Sequence, residues 1–410
     1  MKKIAIHIFL AAFLLTTAGA REKTSFKFDF GRKPKSGWIH ISPTNFYSGE
    51  NGFGFEPGAN VVAEKQFITS TNPFYFSVKV PEGNYKVTLA LGDKTGESMT
   101  TVKAELRRLM LEKIYTPHGK IITRSFIVNV RTPKIPGGGR VHLKPRETTN
   151  EWWAWDDKMT LEFNGARPCL RALQIEKANV PTVFLLGDST VCDQPDAPWN
   201  SWGQMLPCFF KPEIAIANHA ESGETIANSL RARRFEKVFS LMKPGDYLFV
   251  QFGHNDMKSR APNALDIYKS DLKKVVAETR AKGGTPVLVT SMERKAGVEH
   301  PTLMGYPNAV REIAKEENCA LIDLNAMSLI FYRALGTNLD KAFQDGTHHD
   351  NYGSYELAKC VVEGIKKDKL PLAKFIGRDF KDFDPAHPDE VNAFQMAVSP
   401  KISREKPLGN

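Results

Sequence analysis

The chain has 410 residues, of which 41% are hydrophobic and 25% charged, values that exclude wholesale disorder and a multi-pass membrane protein and suggest two domains of ordinary size. Lys and Arg number 56 against 46 Asp and Glu, for a formal net charge of +10, and a basic surface favours acidic partners. No dense Lys/Arg stripe with interleaved aromatics accompanies that charge, so an anionic polysaccharide fits better than nucleic acid, with solubility alone as the other reading of the surplus.

Residues 1–20 carry Lys2 and Lys3, an apolar run over 4–15 and the small residues Ala18, Gly19 and Ala20. This is the pattern of a secretory signal peptide cleaved after Ala20. The apolar run is shorter than the ~20 residues a bilayer-spanning helix needs, so a secreted or periplasmic protein with no membrane span is expected. Over 21–178 the sequence shows short β-type runs at 26–30, 74–80, 85–91, 100–106, 125–130, 159–163 and 170–175, separated by turn formers such as Pro81-Glu82-Gly83-Asn84 and Pro136-Gly137-Gly138-Gly139. Many short strands without an amphipathic helix between them predict an all-β sandwich of the jelly-roll kind.

Over 179–372 the rhythm changes. Apolar runs at 183–186, 214–217, 247–252, 287–289 and 320–324 alternate with helix-period segments, among them 265–282, 307–317 and 351–369. Strands alternating with helices predict βαβ units and a parallel sheet covered on both faces, with ligands bound at the carboxyl ends of its strands. The tail over 373–410 is rich in Pro and charge, and is expected to pack irregularly and then fray. Cys169, Cys192, Cys208, Cys319 and Cys360 are odd in number and scattered, which fits neither a disulfide framework nor a zinc site. Cys319 and Cys360 read as packed thiols, and Cys192, three residues past Ser189, either packs beneath the pocket or reaches into it.

Reactive residues recur just past the predicted strand ends. The first run is followed by Gly187-Asp188-Ser189-Thr190, where a serine standing at the head of a helix would meet free backbone N–H groups suited to an oxyanion; a plain loop or helix cap is the alternative. The second is followed by Asn218-His219-Ala220-Glu221-Ser222-Gly223, in which Gly223 either brings a backbone N–H close to a ligand or serves a turn. The third is followed by Gly253-His254-Asn255-Asp256, in which Asn255 supplies a neutral amide donor or a cap. Near the C-terminus, Asp345 stands three residues before His348, close enough to fold back on Nδ1 and leave Nε2 facing a serine. His349 and Asp350 follow without a further ligand cluster, so no metal is expected. No serine lies in a GxSxG elbow.

These four blocks resemble the SGNH (GDSL-type) hydrolase superfamily, whose name residues are matched here by Ser189, Gly223, Asn255 and His348. Within it, Gly187-Asp188-Ser189-Thr190, Gly253-His254-Asn255-Asp256 and the Asp345-x-x-His348 pair look most like the rhamnogalacturonan acetylesterases. The resemblance implies a flavodoxin-like three-layer α/β/α domain with a five-stranded parallel sheet. It implies a triad of Ser189, His348 and Asp345, and an oxyanion hole from the N–H groups of Ser189 and Gly223 with the Asn255 amide. It also implies hydrolysis of O-acetyl esters on an acetylated acidic polysaccharide without a cofactor. One departure is Glu224-Thr225, where such acetylesterases often carry Arg-Ser. The sandwich resembles galactose-binding-like accessory domains in architecture; Trp152, Trp153 and Trp155 either stack on sugars or belong to a core or interface. The competing expectations are an SGNH lipase or thioesterase, whose acyl site would be an apolar channel, and a non-catalytic carbohydrate-binding protein.

Overall fold

The computed structural model describes residues 23–407; the expected signal peptide lies outside them. Two antiparallel sheets form the N-terminal half. Its strands are β1 (Ser25–Asp29), β2 (Ile39–His40), β3 (Phe53–Phe55), β4 (Val62–Ala63), β5 (Ile68–Thr69) and β6 (Phe74–Lys79), followed by β7 (Gly83–Leu91), β8 (Ser98–Ala104), β9 (Arg108–Thr116), β10 (Ile122–Val130), β11 (Lys158–Asn164) and β12 (Cys169–Lys177). One sheet runs β10-β7-β12-β1-β2, with β4 and β5 attached beside β12, and the other runs β3-β6-β11-β8-β9. Alternate residues such as Tyr85, Val87, Leu89 and Leu91 point into a shared core packed with Phe28, Phe55, Phe76 and Phe163, as the period of two requires.

The C-terminal half is an α/β/α layer structure on a parallel sheet. Strands β13 (Thr182–Gly187), β14 (Ala215–Asn218), β15 (Tyr247–Gln251), β16 (Thr285–Val289) and β17 (Ala320–Ile322) are ordered β14-β13-β15-β16-β17. Its principal helices are α1 (Trp202–Met205), α2 (Ile226–Arg231), α3 (Arg234–Leu241), α4 (Ala264–Ala281), α5 (Tyr306–Glu316), α6 (Leu324–Leu335) and α7 (Asn351–Lys367). The strands are apolar on both faces and serve two cores. Val183, Leu185, Phe249 and Val287 face α6 and α7, whereas Phe184, Leu186, Leu248 and Leu288 face α3, α4 and α5. With β13 flanked by β14 and β15, the strand order reverses beside β13, and a crevice opens at its carboxyl end.

The halves meet through buried charge as well as apolar contact. Leu109 of β9 belongs to the core of the C-terminal half. Arg108 Nε lies 2.9 Å from Asp193 Oδ2, and Arg234 of α3 is paired with Glu147, both wholly buried. The C-terminal tail packs as irregular structure as far as Ser403. Lys103 Nζ donates to the Ala397 carbonyl at 2.7 Å, the Ser399 hydroxyl meets Glu162, and Ala197 exchanges backbone hydrogen bonds with Lys401 and Ser403. Among the described residues no helix is long and apolar enough to cross a membrane.

Candidate active site

The turn after β13 is built to hold Ser189 over the sheet edge. A Cβ at Gly187 would lie 2.7 Å from the Gln251 carbonyl oxygen, so only glycine lets the strand turn here beside β15. The Asp188 carboxylate accepts from the backbone N–H and the hydroxyl of Thr190 at 3.0 and 2.7 Å, and its other oxygen lies 3.3 Å from His254 Nδ1. Burial acts to raise the Asp188 carboxyl, but His254 and the Thr190 donors outweigh it and hold it below the usual range. His254 is fixed in turn, its Nε2–H donating to the Met292 carbonyl at 2.9 Å. Gln251 donates to the Thr190 hydroxyl and Gln194 to the Ser189 carbonyl.

Ser189 Oγ lies 2.7 Å from His348 Nε2, and His348 Nδ1 lies 3.0 Å from Asp345 Oδ2. The loop before α7 makes this pairing local: Asp345 Oδ1 accepts from the backbone N–H groups of both Thr347 and His348 at 2.7 Å, folding the carboxylate back onto its own imidazole. Burial opposes the charge on Asp345, but His348 and those two N–H groups hold its carboxyl well below the usual range. Asp345 is therefore a carboxylate at neutral pH. The tautomer it selects leaves Nε2 free to take a proton from Ser189. Ser189 and His348 are 2% and 1% exposed, and the ring of Trp199 meets that of His348 edge-on at 5.8 Å.

The second block packs on the Ser189 turn, with the Glu221 N–H donating to the Gly187 carbonyl and Gln194 Nε2 donating to both the Ser222 hydroxyl and the Ser189 carbonyl, and the third meets the second. Gly223 sits at φ 74°, a left-handed conformation that favours glycine. Asn255 donates from Nδ2 to the Glu224 carbonyl at 3.1 Å and accepts from Lys258 Nζ at its Oδ1, also at 3.1 Å. The amide keeps a second N–H, and the ammonium at its oxygen strengthens it as a donor. Glu224, where the sequence departs from Arg-Ser, is turned inward onto Lys144 at 2.6 Å. Sequence reasoning missed the supporting residues His254, Gln194, Lys258 and Lys144; for His254 the signal was present, in its place beside Asn255 at a strand end.

Of the other singled-out residues, His349, Cys192 and Trp155 are packed within the fold. His349 bonds the Tyr332 hydroxyl at 2.8 Å, and burial pushes its pKa down to about 3, so it is neutral. Cys192 packs beneath the nucleophile turn against the Ser222 hydroxyl, its thiol pushed up to about 12 by burial. Trp155 is buried with its Nε1 on Glu147, whereas Trp152 is 43% exposed and Trp153 packs on Tyr75. All five cysteines are free thiols.

Clefts are lined by residues that neighbour the buried serine and histidine: Gln194 touches the Ser189 carbonyl and Trp199 the His348 ring. One of ≈ 250 Å³ is lined by Gln194, Trp199, Arg146 and the tail at Glu405. A neighbour of ≈ 210 Å³ shares Asn150 and Pro195 with it and carries Trp152 and Trp153. A separate cavity of ≈ 480 Å³ is bordered by Thr225 and Asn255.

The model of the GDSL-like lipase/acylhydrolase family matches residues 185–354. The chain is 35% identical over 213 residues to the rhamnogalacturonan acetylesterase RhgT of Bacillus subtilis (strain 168), covering 46% of this chain and 91% of that one. It is 25% identical over 404 residues to the uncharacterized esterase YxiM of the same organism, covering 90% of this chain and 99% of that one. Among solved structures, the crystal structure of the Bacillus subtilis YxiM protein superposes with a TM-score of 0.46 at 23% identity, over 85% of this chain and 99% of that one. The chain is a carboxylic ester hydrolase that belongs to the GDSL-type, or SGNH, lipase/acylhydrolase family, with an all-β region ahead of the family domain.

Proposed function

We propose that this protein is an exported acetylesterase that removes O-acetyl groups from an acetylated pectic polysaccharide of the rhamnogalacturonan class, by an acyl-enzyme mechanism. The observation that carries the reading is the contact of Ser189 Oγ with His348 Nε2 at 2.7 Å, backed by Asp345 at 3.0 Å. His348 takes the serine proton as Oγ attacks the acetyl carbonyl, and the tetrahedral oxyanion is held by the N–H groups of Ser189 and Gly223 with the Asn255 amide. Collapse expels the sugar alkoxide, which leaves with the proton from His348. Water then attacks the acetyl-enzyme with the same base, releasing acetate and restoring Ser189.

The substrate reading draws on the rhamnogalacturonan acetylesterases among its relatives and on the site itself. A nearly enclosed nucleophile suits a two-carbon acyl group, and the Trp152 face along the adjoining clefts suits a sugar ring. The division into a signal peptide at 1–20, an all-β accessory unit at 21–178, a catalytic unit at 179–372 and a tail at 373–410 belongs to the same proposal. Acetate release from acetylated rhamnogalacturonan, measured beside acetylated xylan and a series of acetyl, butyryl and octanoyl esters, tests it. Preference for acetyl esters and for the pectic polymer is expected. A preference for octanoyl esters overturns the acyl assignment, and equal or better release from xylan overturns the pectic one.

A further inference from the structure

The peptide that links Ser222 to Gly223 is gripped from the all-β half. Lys144 Nζ donates to the Ser222 carbonyl at 2.6 Å and Arg146 Nη2 donates to the same oxygen at 2.8 Å. Both side chains are further fixed by the block they touch: Lys144 pairs with Glu224 at 2.6 Å, and Arg146 pairs with Glu221. The short helical turn Pro145–Thr148, which Lys144 caps and which contains Arg146, is itself docked on the C-terminal half. The Glu147 carboxylate accepts from Arg234 at 3.0 and 2.6 Å, from Trp155 Nε1 at 2.9 Å and from the Lys144 backbone N–H at 2.7 Å.

The consequence follows from peptide geometry. In a trans peptide the C=O and N–H point in opposite directions, and the cis bond in this structure lies elsewhere, at Ala197–Pro198. Two cations pulling the Ser222 oxygen to one side therefore aim the Gly223 N–H to the other. They also polarise the peptide, which makes that N–H a stronger donor. The left-handed Gly223, at φ 74°, lets the chain turn away without rotating the peptide back. Among the described residues the Gly223 N–H enters no turn or cap hydrogen bond with the backbone.

We infer that Lys144 and Arg146 are positioning residues of the esterase site: from the all-β half, they orient and polarise the Gly223 N–H toward the oxyanion. The inference rests on the acyl-enzyme reading above. It makes the all-β half a working part of the catalytic centre, and it gives Glu224 a purpose as the anchor of Lys144.

The test uses the full chain with 4-nitrophenyl acetate, so polysaccharide specificity does not enter, at a temperature well below the unfolding midpoint of each variant. Arg146→Met and Lys144→Met should each lower kcat on the order of tenfold, and the double variant about 10²-fold, with KM changed less than about twofold. The affinity for phenylboronic acid, whose tetrahedral adduct places an oxygen in the oxyanion site, should fall by the same factors. Arg146→Lys should recover most of the loss. The single variants each retain one cation on the Ser222 carbonyl, so they remain informative if the double variant does not fold. Unchanged kcat in both folded single variants overturns the inference, as does a loss of kcat with boronate affinity intact. A wild-type protein that hydrolyses no ester strikes the acyl-enzyme reading instead.

Discussion

Asp345→Asn separates geometry from charge in the triad. The Asp345 carboxylate uses Oδ1 to accept two backbone N–H groups at 2.7 Å and Oδ2 to face His348 Nδ1 at 3.0 Å. An asparagine has a single acceptor oxygen, and the two N–H groups demand it. The amide nitrogen is then forced opposite Nδ1, where it donates rather than accepts. His348 must place its proton on Nε2, against Ser189 Oγ, and the base is blocked. The loss of kcat expected for a wrong tautomer is about 10⁴-fold, or about 5 kcal/mol of transition-state stabilisation. Initial rates with 4-nitrophenyl acetate across pH 6 to 9 measure it, with a thermal melt to show that the loop is intact. A folded variant within about tenfold of wild type would refute the reasoning, because it would mean that the Asp345 carboxylate does not set the His348 tautomer.

Asn255→Ala removes an amide donor without touching the triad, and should lower kcat on the order of 10²- to 10³-fold with a smaller effect on KM; steady-state kinetics on the same ester decide it. Arg234→Met leaves the wholly buried Glu147 without its ion partner and should cost about 3–5 kcal/mol in urea denaturation, with much of that recovered by adding Glu147→Gln. Asp256 gives a pH test. Burial pushes its carboxyl up to about 7, and one of its oxygens is buried without a hydrogen-bond partner. Between the unfolded value of about 3.9 and that folded value the native state binds the extra proton, so this group makes stability fall as pH rises through the window and leaves a constant penalty above it. Asp256→Asn should therefore raise the melting temperature relative to wild type above pH 7 and not near pH 4, while its amide oxygen still accepts from the Ile226 N–H.

The parts of the fold that follow period rules were legible from residues alone. The apolar runs of β13, β15 and β16 are buried on both faces, and the helix-period segment of α4 places Leu272, Val275 and Val276 on its inner side. The Ser189 block stood out because reactive polar residues gathered past a strand end, and the Asp345-x-x-His348 pair because its spacing lets a carboxylate fold back on the imidazole. Strand β9 was not found. Its first residues are buried against the C-terminal half and its middle is half-exposed, so no alternation marks it. Helix α3 was hidden for a related reason, since Arg234 and Lys237 read as solvent-facing yet are buried against Glu147 and Glu82. Lys144 and Arg146 lie in a polar stretch with no periodicity, and only the long-range docking of Glu147 reveals that they meet Ser222. Polar contacts across 80 or so residues leave no local pattern to read.

In the acyl-enzyme reading Ser189 Oγ carries the acyl group. Treating the wild-type protein with a 4-nitrophenyl phosphonate ester and locating the adduct by peptide mass spectrometry tests it most directly. The account predicts one phosphonyl group per chain, on the peptide bearing Ser189, with loss of activity in proportion to labelling and no labelling of Ser189→Ala. Labelling elsewhere with parallel loss of activity, or ester turnover by Ser189→Ala at the wild-type rate, would contradict it.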